Sequence, residues 1–407
     1  MLNKDGIREL AYLVKVEDIT PMNADRLECV HIGGWHCVAG KGEFQIGDPA
    51  VYFEIDSKLP EVEPFVSMEF LRSKHFKIKT QKIRGEYSQG LLVPISAFWP
   101  QGWEIQVDGS VYCGDGDHDR HYLDDESRFL TKRLGVTYAV AEDNKRKAPV
   151  NDKYKKMAAR HPKMAKTKIW RWLYKKEWGK KLLFVLFGRK KDKKDDWPSH
   201  IATKTDVERI QNCIWLLNDK QPYVATEKVD GTSCSMMAER GLFGKIKYYV
   251  CSRNVVFSTS DAPCFYDENV YFEAWEKYNV KEIITHILKD YNLPNVAIQA
   301  EVYGEGIQKR DYTTKEHKMA VFHIVSNKVK FPMDQVVEIC EKYGLPHVPV
   351  IDDNFVFPDT IEELQTYVES APSMIDGKPR EGIVFYDKET GAQYVKFVSP
   401  EFLLKFH

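Results

Sequence analysis

Short runs of alternating apolar and polar residues fill the first quarter of the chain, from about residue 7 to residue 105. Turn signals rich in glycine separate the runs, for example at residues 33–34 and 47–49. Short strands joined by such turns are typical of a small all-β barrel or sandwich. We therefore predict an OB-like barrel over residues 1–112, a fold that often binds nucleic acid.

The apolar spacing changes after residue 197, where helical patterns begin to alternate with strand patterns. This alternation predicts a second domain of mixed α/β type over residues 197–407. A capping-box spacing at Thr205 and Glu208, followed by apolar residues at helical intervals up to Leu217, predicts that a helix opens the domain. A second helix is predicted from about Met333 to Tyr343, because a glycine and a proline follow it closely.

A basic segment lies between the two predicted domains, within residues 113–196. Residues 145–194 hold twenty lysines and arginines against three acidic residues, together with Trp170, Trp172 and Trp178. Three interpretations stay open: contact with RNA, an interdomain linker with a packed helix, and attachment to an anionic membrane surface. The apolar run from residue 182 to 187 is too short to span a bilayer.

A second basic stretch lies inside the predicted barrel, where lysines and an arginine surround a tyrosine. Such a mixture suits contacts to a nucleic-acid backbone combined with base stacking, whereas a solvated strand face is the alternative. The residues concerned are Lys77, Lys79, Lys82, Arg84 and Tyr87.

The composition indicates in which cellular compartment the protein is expected, but it says little about the binding partner. The formal net charge of the 407 residues is −1, so a nucleic-acid surface has to be local. The eight cysteines form no C-x-x-C pair, which argues against structural zinc and indicates reduced thiols. The N-terminus lacks the apolar core of a secretion signal. We expect an intracellular, monomeric protein without a membrane partner.

The segment TEKVDGTS is the first candidate for chemistry, because Lys228 and Asp230 lie two residues apart after an apolar run. A lysine can attack the α-phosphorus of ATP once it has lost its proton, but its ordinary pKa of about 10.4 makes this rare at neutral pH. A metal ion held by carboxylates would lower that pKa and neutralise phosphate oxygens. Taken alone, the pattern is weak, since Asp-Gly is a common turn.

Two later strands supply further candidates. Apolar residues alternate with Gln299, Glu301 and Tyr303, which predicts a half-buried strand that presents Glu301 on its polar face toward a nucleotide pocket. Phe322 lies in the apolar run MAVFHIV and offers a ring that could stack on adenine, although core packing is the simpler interpretation of such a residue.

Taken together, these segments resemble the motifs of the covalent nucleotidyltransferase superfamily of ligases and capping enzymes. The resemblance implies an α+β protein with an OB-like β-barrel, a basic middle segment and a C-terminal mixed α/β nucleotidyltransferase domain, ATP-grasp-like, with antiparallel sheets. The matching segments follow the family's order and are Lys228-Val229-Asp230-Gly231-Thr232, Ser252-Arg253-Asn254, Glu301, Phe322, Glu381-Gly382-Ile383-Val384 and Lys396.

The same resemblance implies a set of roles, with ATP and Mg²⁺ or Mn²⁺ as cofactors. The implied catalytic residues are Lys228, Asp230, Glu301, Glu381 and Lys396. The implied nucleotide-binding residues are Glu227, Lys228, Gly231, Arg253, Glu301, Phe322 and Lys396. Asp230, Glu301 and Glu381 are expected to hold the metal through water.

Two positions depart from the family pattern. His323 stands where many members have aspartate, so no role is carried over to it. Val398 stands where many relatives have a second lysine, so that either Lys405 substitutes or Lys396 suffices.

The order of the domains indicates the type of ligase. DNA ligases and capping enzymes usually carry an OB domain after the last lysine motif, whereas here the barrel comes first. This order, with the segments KIRGEYSQGLLVP, WPSHIATKTDVERIQN and VKFVSPEFLLK, is similar to Naegleria-type and Deinococcus-type RNA ligases. We expect an ATP-dependent RNA ligase that joins 5′-phosphate and 3′-hydroxyl ends, with a nicked duplex or an RNA/DNA hybrid among the open substrates. A DNA ligase, a capping guanylyltransferase and, more remotely, a non-catalytic RNA-binding protein are the alternatives.

Overall fold

The computed structural model describes residues 1–100, 103–105, 110–113, 119–139, 164, 167–187, 196–204, 206–262, 264, 266, 268–391 and 394–406. Most of the basic segment 145–194 therefore lies outside the described residues, as does Thr205 of the predicted capping box. Within the described parts of the chain, none of the helices is long and apolar enough to cross a membrane.

Thirteen short strands and a one-turn helix, α1 (Glu69–Arg72), build the N-terminal domain in the described residues. They pair as the sheets β1-β5-β9, β2-β3-β4, β7-β8, β6-β13 and β10-β11-β12. The strands are β1 (Ala11–Lys15), β2 (Asp18–Pro21), β3 (Leu27–Ile32), β4 (Trp35–Gly40), β5 (Pro49–Phe53), β6 (Ser57–Lys58), β7 (Thr80–Ile83), β8 (Glu86–Gln89), β9 (Leu91–Pro94), β10 (Trp103–Ile105), β11 (Val111–Cys113), β12 (Asp119–His121) and β13 (Thr137–Tyr138).

The barrel core forms on both sides of β5, whose five residues are all buried. Val51 and Phe53 pack in one apolar cluster, and Ala50 and Tyr52 pack in a second cluster with Trp35. Because successive strand residues point to opposite faces, a strand that is apolar throughout has to be covered on both sides. Residues beyond the predicted end of the barrel at 112 also join this core, namely Leu130 and Val136.

Two helices of the basic segment form a hairpin. These are α2 (Lys168–Tyr174) and α3 (Glu177–Phe187), which share a small core of Trp170 and Leu183. Thr167 begins α2, since its hydroxyl accepts a hydrogen bond of 3.3 Å from the Trp170 amide.

The C-terminal domain contains two largely antiparallel sheets and helices α4 to α8. The five-stranded sheet has the order β14-β24-β23-β15-β22, and the six-stranded sheet has the order β18-β17-β16-β19-β20-β21. The elements are β14 (Glu208–Arg209), β15 (Tyr223–Lys228), β16 (Thr232–Arg240), β17 (Ile246–Ser252), β18 (Val256–Phe257), α4 (Val270–Lys277), α5 (Val280–Asp290), β19 (Asn295–Tyr303), β20 (Lys318–Ser326), β21 (Val329–Lys330), α6 (Met333–Tyr343), β22 (Val350–Phe355), α7 (Ile361–Glu369), β23 (Gly382–Asp387), β24 (Tyr394–Val398) and α8 (Pro400–Phe406).

The main core of this domain lies between the sheets and under the helices. Ile298 of the six-stranded sheet, Val384 of the five-stranded sheet and Val336 of α6 belong to one apolar cluster. The predicted helix from Met333 is confirmed with the same bounds, and it ends at Gly344, whose φ of 69° suits a glycine.

The helix predicted after Thr205 is wrong. The chain instead forms β14 and two 3₁₀ turns at Ile210–Asn212 and Ile214–Asn218. Tertiary contacts override the helical spacing here, because β14 pairs in parallel with β24 and the first turn packs against the barrel.

This turn is the junction between the domains. The Gln211 carbonyl accepts a 2.9 Å hydrogen bond from the Gly34 amide. The Asn212 side chain accepts from Trp35 Nε1 at 2.7 Å and donates to Glu54 Oε1 at 3.2 Å. The barrel is thereby fixed against the segment that leads into the candidate active site.

Candidate active site

Lys228 is the last residue of β15 and lies beside Glu381. It pairs in register with Gly382 of β23, which places Glu381 one residue beyond the end of the ladder. The Lys228 Nζ atom lies 2.7 Å from Glu381 Oε1, and the two side chains are only 24% and 7% exposed. The predicted nucleophile and a predicted metal-binding carboxylate are thus in direct contact.

Residues 229–231 carry the chain from the five-stranded sheet to the six-stranded sheet. A side chain at Gly231 would collide with the main-chain carbonyl of Val302 on the opposite strand, so glycine is required for this close approach. The crossing buries Asp230, whose amide donates a 3.0 Å hydrogen bond to the Tyr312 hydroxyl. Lys228 and Asp230 therefore lie close together where the chain passes from one sheet to the other.

Glu301 enters the same place from β19, where it pairs in register with Ser233 of β16 and Ala320 of β20. The predicted strand is confirmed, but the predicted half-buried character is wrong. Gln299 and Tyr303 on the polar side of the pattern are buried, and Glu301 alone in β19 is partly exposed. Sheet and helix packing cover both faces, which a single-strand pattern does not reveal.

Two of the clustered carboxyl groups, those of Asp230 and Glu301, have raised pKa values. Burial, with the nearby Glu381, raises the pKa of Asp230 to about 7 against the influence of Lys228. Burial also raises the pKa of Glu301 to about 8, and Glu381 and Asp230 add to that shift while Lys228 opposes it. Burial is the larger cause of both shifts, and the repulsion between nearby like charges adds to it.

The same carboxylates hold the proton on the nucleophile. Burial lowers the pKa of Lys228, but the negative charges of Glu381, Glu301 and Asp230 outweigh it, and the net shift is upward. A protonated amine has no lone pair with which to attack phosphorus. An added positive charge is therefore needed before Lys228 can react.

The carboxylate set fits a hydrated divalent cation better than a directly bound one. Among the described residues no group of three or more histidine, cysteine, aspartate or glutamate side chains could hold a metal ion directly. The buried Glu381 Oε2 atom nevertheless has no hydrogen-bond partner, and acceptors of this kind can bind the water shell that Mg²⁺ retains.

A basic group lies near this acidic cluster, on the neighbouring strands β24 and β14 of the five-stranded sheet. Lys396 on β24 pairs with Val384 of β23 on one side and with Arg209 of β14 on the other. Burial and the nearby charge of Arg209 lower the pKa of Lys396 to about 7, although Asp206 opposes the shift from 4.0 Å.

Arg209 is a candidate that the motifs do not reveal. It is 5% exposed, and its Nε and Nη1 atoms have no hydrogen-bond partner within the structure. Its Nη2 atom lies 3.9 Å from Asp56 of the barrel. Buried guanidinium donors without a partner suit a bidentate anionic ligand such as a phosphate. An arginine inside an apolar pattern was the available signal in the sequence.

The other predicted residues occupy different positions around the cleft. Arg253 is 47% exposed and donates to Asp206, which lies between it and Lys396. Phe322 is partly buried on β20. The Glu227 carboxylate is buried and accepts from Ser373 Oγ and from the Met374 amide, so it fixes the loop 373–374 and does not present an uncommitted carboxylate.

The structure also shows the surroundings of His323 and Lys405, the residues that concern the two departures from the family pattern. His323 is 2% exposed, contacts the rings of Tyr386 and Tyr394, and approaches Gln299 Oε1 at 3.2 Å. Burial together with Lys330 lowers the pKa of His323 well below its usual value, so a neutral ring replaces the aspartate of the family. Lys405 lies exposed on α8, with its amine 5.3 Å from the Phe406 ring.

Comparisons with known proteins agree with this arrangement. Residues 221–405 match the family model of RNA ligase, and residues 10–95 match a model of an OB-fold domain. The sequence finds no match among curated proteins.

Solved structures of an RNA ligase from Naegleria gruberi are similar over nearly the whole chain. One variant of that ligase with ATP and Mn superimposes with a TM-score of 0.69 at 24% identity, over 98% of this chain and 99% of that chain. A second variant with ATP and Mn gives 0.70, and a third with AMP and Mn gives 0.68, at the same identity and coverage. The predicted fold class, with its barrel first and its ligase-like domain second, is thereby confirmed.

Proposed function

We propose that the chain is an ATP-dependent RNA ligase that captures AMP on Lys228, because residues 221–405 match the family model of RNA ligase. The observation that carries the proposal is the surroundings of this lysine. It contacts Glu381 at 2.7 Å, lies within the charge field of Asp230 and Glu301, and in turn affects the pKa of Lys396. One buried amine thus lies between an acidic group and a basic group.

The basic and the acidic residues around Lys228 have different roles in the proposed reaction with a nucleotide. The basic group of Lys396, Arg209 and Arg253 suits the phosphates of ATP, whose negative charge would keep Lys396 protonated despite its pKa of about 7. The half-buried Phe322 ring is the candidate for stacking on adenine. The Naegleria gruberi ligase, which shares this fold, has been solved with ATP and Mn, and this supports a nucleotide site in the fold.

Asp230, Glu301 and Glu381 would hold a divalent cation through water, and its positive charge would help Lys228 to lose its proton. The chain's own residues do the rest. Lys228 Nζ forms a bond to the α-phosphorus of ATP while the bond from that phosphorus to the pyrophosphate oxygen breaks. Lys396 and Arg209 stabilise the charge that develops on the phosphate oxygens.

The later steps transfer AMP onward. The 5′-phosphate of a strand end displaces Lys228 from the AMP phosphorus, which restores the amine. The 3′-hydroxyl of the second end then attacks the activated 5′-phosphate and releases AMP. Each step is a displacement at phosphorus, so positioning and charge stabilisation carry the catalysis.

The barrel is proposed to engage the polynucleotide. Lys82 on β7 lies 4.9 Å from the ring centroid of Tyr87 on β8, which combines a backbone-binding charge with a stacking surface on one hairpin. Lys77, Lys79 and Arg84 lie on the same stretch of chain.

A sealing assay tests the proposal. Nicked duplexes with all-RNA, all-DNA and mixed strands are incubated with ATP or GTP and Mg²⁺ or Mn²⁺, with Lys228→Ala as the inactive control. We expect ATP-dependent sealing that is fastest when the joined ends are RNA. Preference for all-DNA nicks, or nucleotide transfer from GTP alone, would overturn the RNA ligase assignment in favour of the DNA ligase or the capping enzyme.

A further inference from the structure

The hairpin of α2 and α3 contains apolar residues that its own small core does not use. Trp170 and Leu183 are buried between the helices. Trp172 and Trp178, by contrast, meet edge to face with ring centroids 5.8 Å apart and are each more than half exposed. This contact joins the outer surfaces of the two helices into one patch.

The patch continues along α3 with helical periodicity. Its members Trp178, Leu182, Val185 and Leu186 follow the spacing i, i+4, i+7 and i+8, which places them on one side of the helix. They are 54%, 42%, 79% and 63% exposed. We call these four residues and Trp172 the apolar face. Exposed apolar groups that follow a helical period indicate a partner, whereas isolated ones are ordinary.

Positive charge surrounds the apolar face. Residues 167–187 contain six lysines and arginines against the single Glu177. The Lys176 amine lies over the rings of both Trp172 and Trp178, at 4.4 and 5.9 Å from their centroids. Long basic side chains next to exposed tryptophans can lay their methylenes on an apolar surface and keep their charge in water.

The three possible classes of partner differ in how much of this surface they would use. A second copy of the chain would cover the apolar face but would bring two strongly basic hairpins together. RNA would neutralise the lysines, yet it gains nothing from Leu182, Val185 and Leu186, since bases stack on aromatic rings and not on aliphatic chains. An anionic lipid surface uses both parts, the aliphatic stripe in the acyl boundary and the lysines at the headgroups.

We propose that the hairpin attaches the protein to the surface of an anionic membrane, with the apolar face inserted to the level of the headgroup and acyl boundary. The tryptophans lie at the interface, where rings with one polar atom are favoured. The basic residues contact lipid phosphates. The proposal takes up the membrane-surface interpretation of the basic segment, and it departs from the sequence-based expectation of no membrane partner. It is independent of the proposed ligase chemistry, which another domain would carry.

Flotation of the full-length protein with vesicles tests the attachment. Vesicles of phosphatidylcholine alone are compared with vesicles that also contain phosphatidylglycerol, at low and at high salt. Binding to the anionic vesicles alone, weakened at least several-fold by salt, is the expected result. Equal binding to both vesicles, or to neither, would overturn the proposal.

A charge-adding double variant separates lipid from RNA. Val185→Lys combined with Leu186→Lys removes apolar surface and adds positive charge, so it should abolish vesicle binding and leave RNA binding unchanged or stronger. Val329→Lys is the matched control, since Val329 is 67% exposed in the C-terminal domain. Formation of the AMP adduct serves as the check that each variant is folded. If the double variant keeps vesicle binding, or if it loses RNA binding while the wild type ignores vesicles, the membrane assignment is wrong.

Discussion

Glu54 in the barrel is buried and Glu301 in the candidate active site is partly buried. Their surroundings shift the carboxyl pKa in opposite directions. Burial by itself raises the pKa of Glu54, yet the N-terminal ammonium, Arg8 and Arg209 outweigh it and lower the pKa below its usual range. Arg8 Nε lies 2.7 Å from Glu54, and the Tyr12 hydroxyl donates to it at 2.9 Å.

Glu301 lacks such complete compensation. Burial raises its pKa to about 8, with a further contribution from the carboxylates of Glu381 and Asp230, while Lys228 and Arg253 oppose the shift. In the barrel interface the protein itself supplies the counter-charges, and the result is a fixed junction. In the cleft the described basic residues offset the burial of the carboxyl groups less completely, since the pKa values of Asp230 and Glu301 stay raised. Carboxyl groups with raised pKa values therefore distinguish the candidate active site from the junction.

Arg209 belongs to both regions, and its removal gives the largest expected effect. It contributes to the lowered pKa of Glu54 and of Lys396 while two of its nitrogens have no partner. Arg209→Ala should slow formation of the AMP adduct by roughly 10²–10³-fold, the usual effect of losing one donor to a developing phosphate charge. Single-turnover labelling measures this. Arg209→Lys should restore part of the rate, and Arg26→Ala on the exposed barrel surface should change nothing.

A wild-type rate of adduct formation in Arg209→Ala would show that the unpaired nitrogens have no part in nucleotide binding. Arg209 would then act only at the junction between the domains and not in the candidate active site.

The same substitution at the two glutamates should change stability with opposite signs. Glu54→Gln leaves Arg8 and its neighbours without their buried counter-ion, a loss of about 3–5 kcal/mol in the free energy of unfolding. Glu301→Gln removes a group whose raised folded pKa costs stability as pH rises from the unfolded pKa of about 4.3 toward 8. It should therefore stabilise the metal-free protein at pH 7, by roughly 1–3 kcal/mol.

Thermal melts without divalent ions measure both effects. The Glu301→Gln gain should vanish below about pH 4.5, where the carboxyl is neutral in both states. Destabilisation by both substitutions at pH 7 would break the comparison.

The barrel surface should matter for polynucleotide joining and not for adduct formation. Deletion of residues 1–105 should impair sealing more than adduct formation, but it also removes Trp35 and Glu54 from Asn212 at the junction. Lys82→Ala with Tyr87→Ala leaves that junction intact and is the sharper test. We expect about a tenfold higher KM for the nicked RNA, in line with the loss of one stacking contact.

Normal labelling by α-labelled ATP is the control for this double variant. An equal loss of labelling and sealing would indicate a structural role for the hairpin of β7 and β8.

The smallest expected effect is a shift in pH dependence. The pKa of Lys228 is raised by Glu381, Glu301 and Asp230 against its burial, and only the neutral amine attacks. The rate of adduct formation should therefore rise with pH. A cation near these carboxylates lowers the Lys228 pKa, so raising Mn²⁺ from subsaturating to saturating should move the rising limb to lower pH, by about one unit. If the rising part of the pH–rate profile stays unchanged at all metal concentrations, the metal does not affect the pKa of Lys228.

Much of the site could be predicted because its residues lie in short motifs within or next to strands. Lys228, Glu301 and Glu381 meet in the structure as their order in the sequence implied. The site roles of these residues stay predictions until they are measured. The bounds of the helix at Met333–Tyr343 were likewise readable, since a local glycine signal ends it.

The remainder depends on contacts between distant parts of the chain. The segment after Thr205 has a helical pattern, but pairing with β24 and packing against Gly34 hold it in another conformation. Arg209 acquires its surroundings from Lys396 and from Asp56 of the barrel. No local pattern contains such information.

The most direct test of the account is covalent labelling at Lys228. The protein is incubated with α-labelled ATP and Mg²⁺ or Mn²⁺, and the adduct is resolved under denaturing conditions. Lys228→Ala should take up no label, whereas Lys220→Ala, which removes an exposed lysine paired with Asp359, should label like the wild type. A Lys228→Ala protein that labels as strongly as the wild type would contradict the central claim.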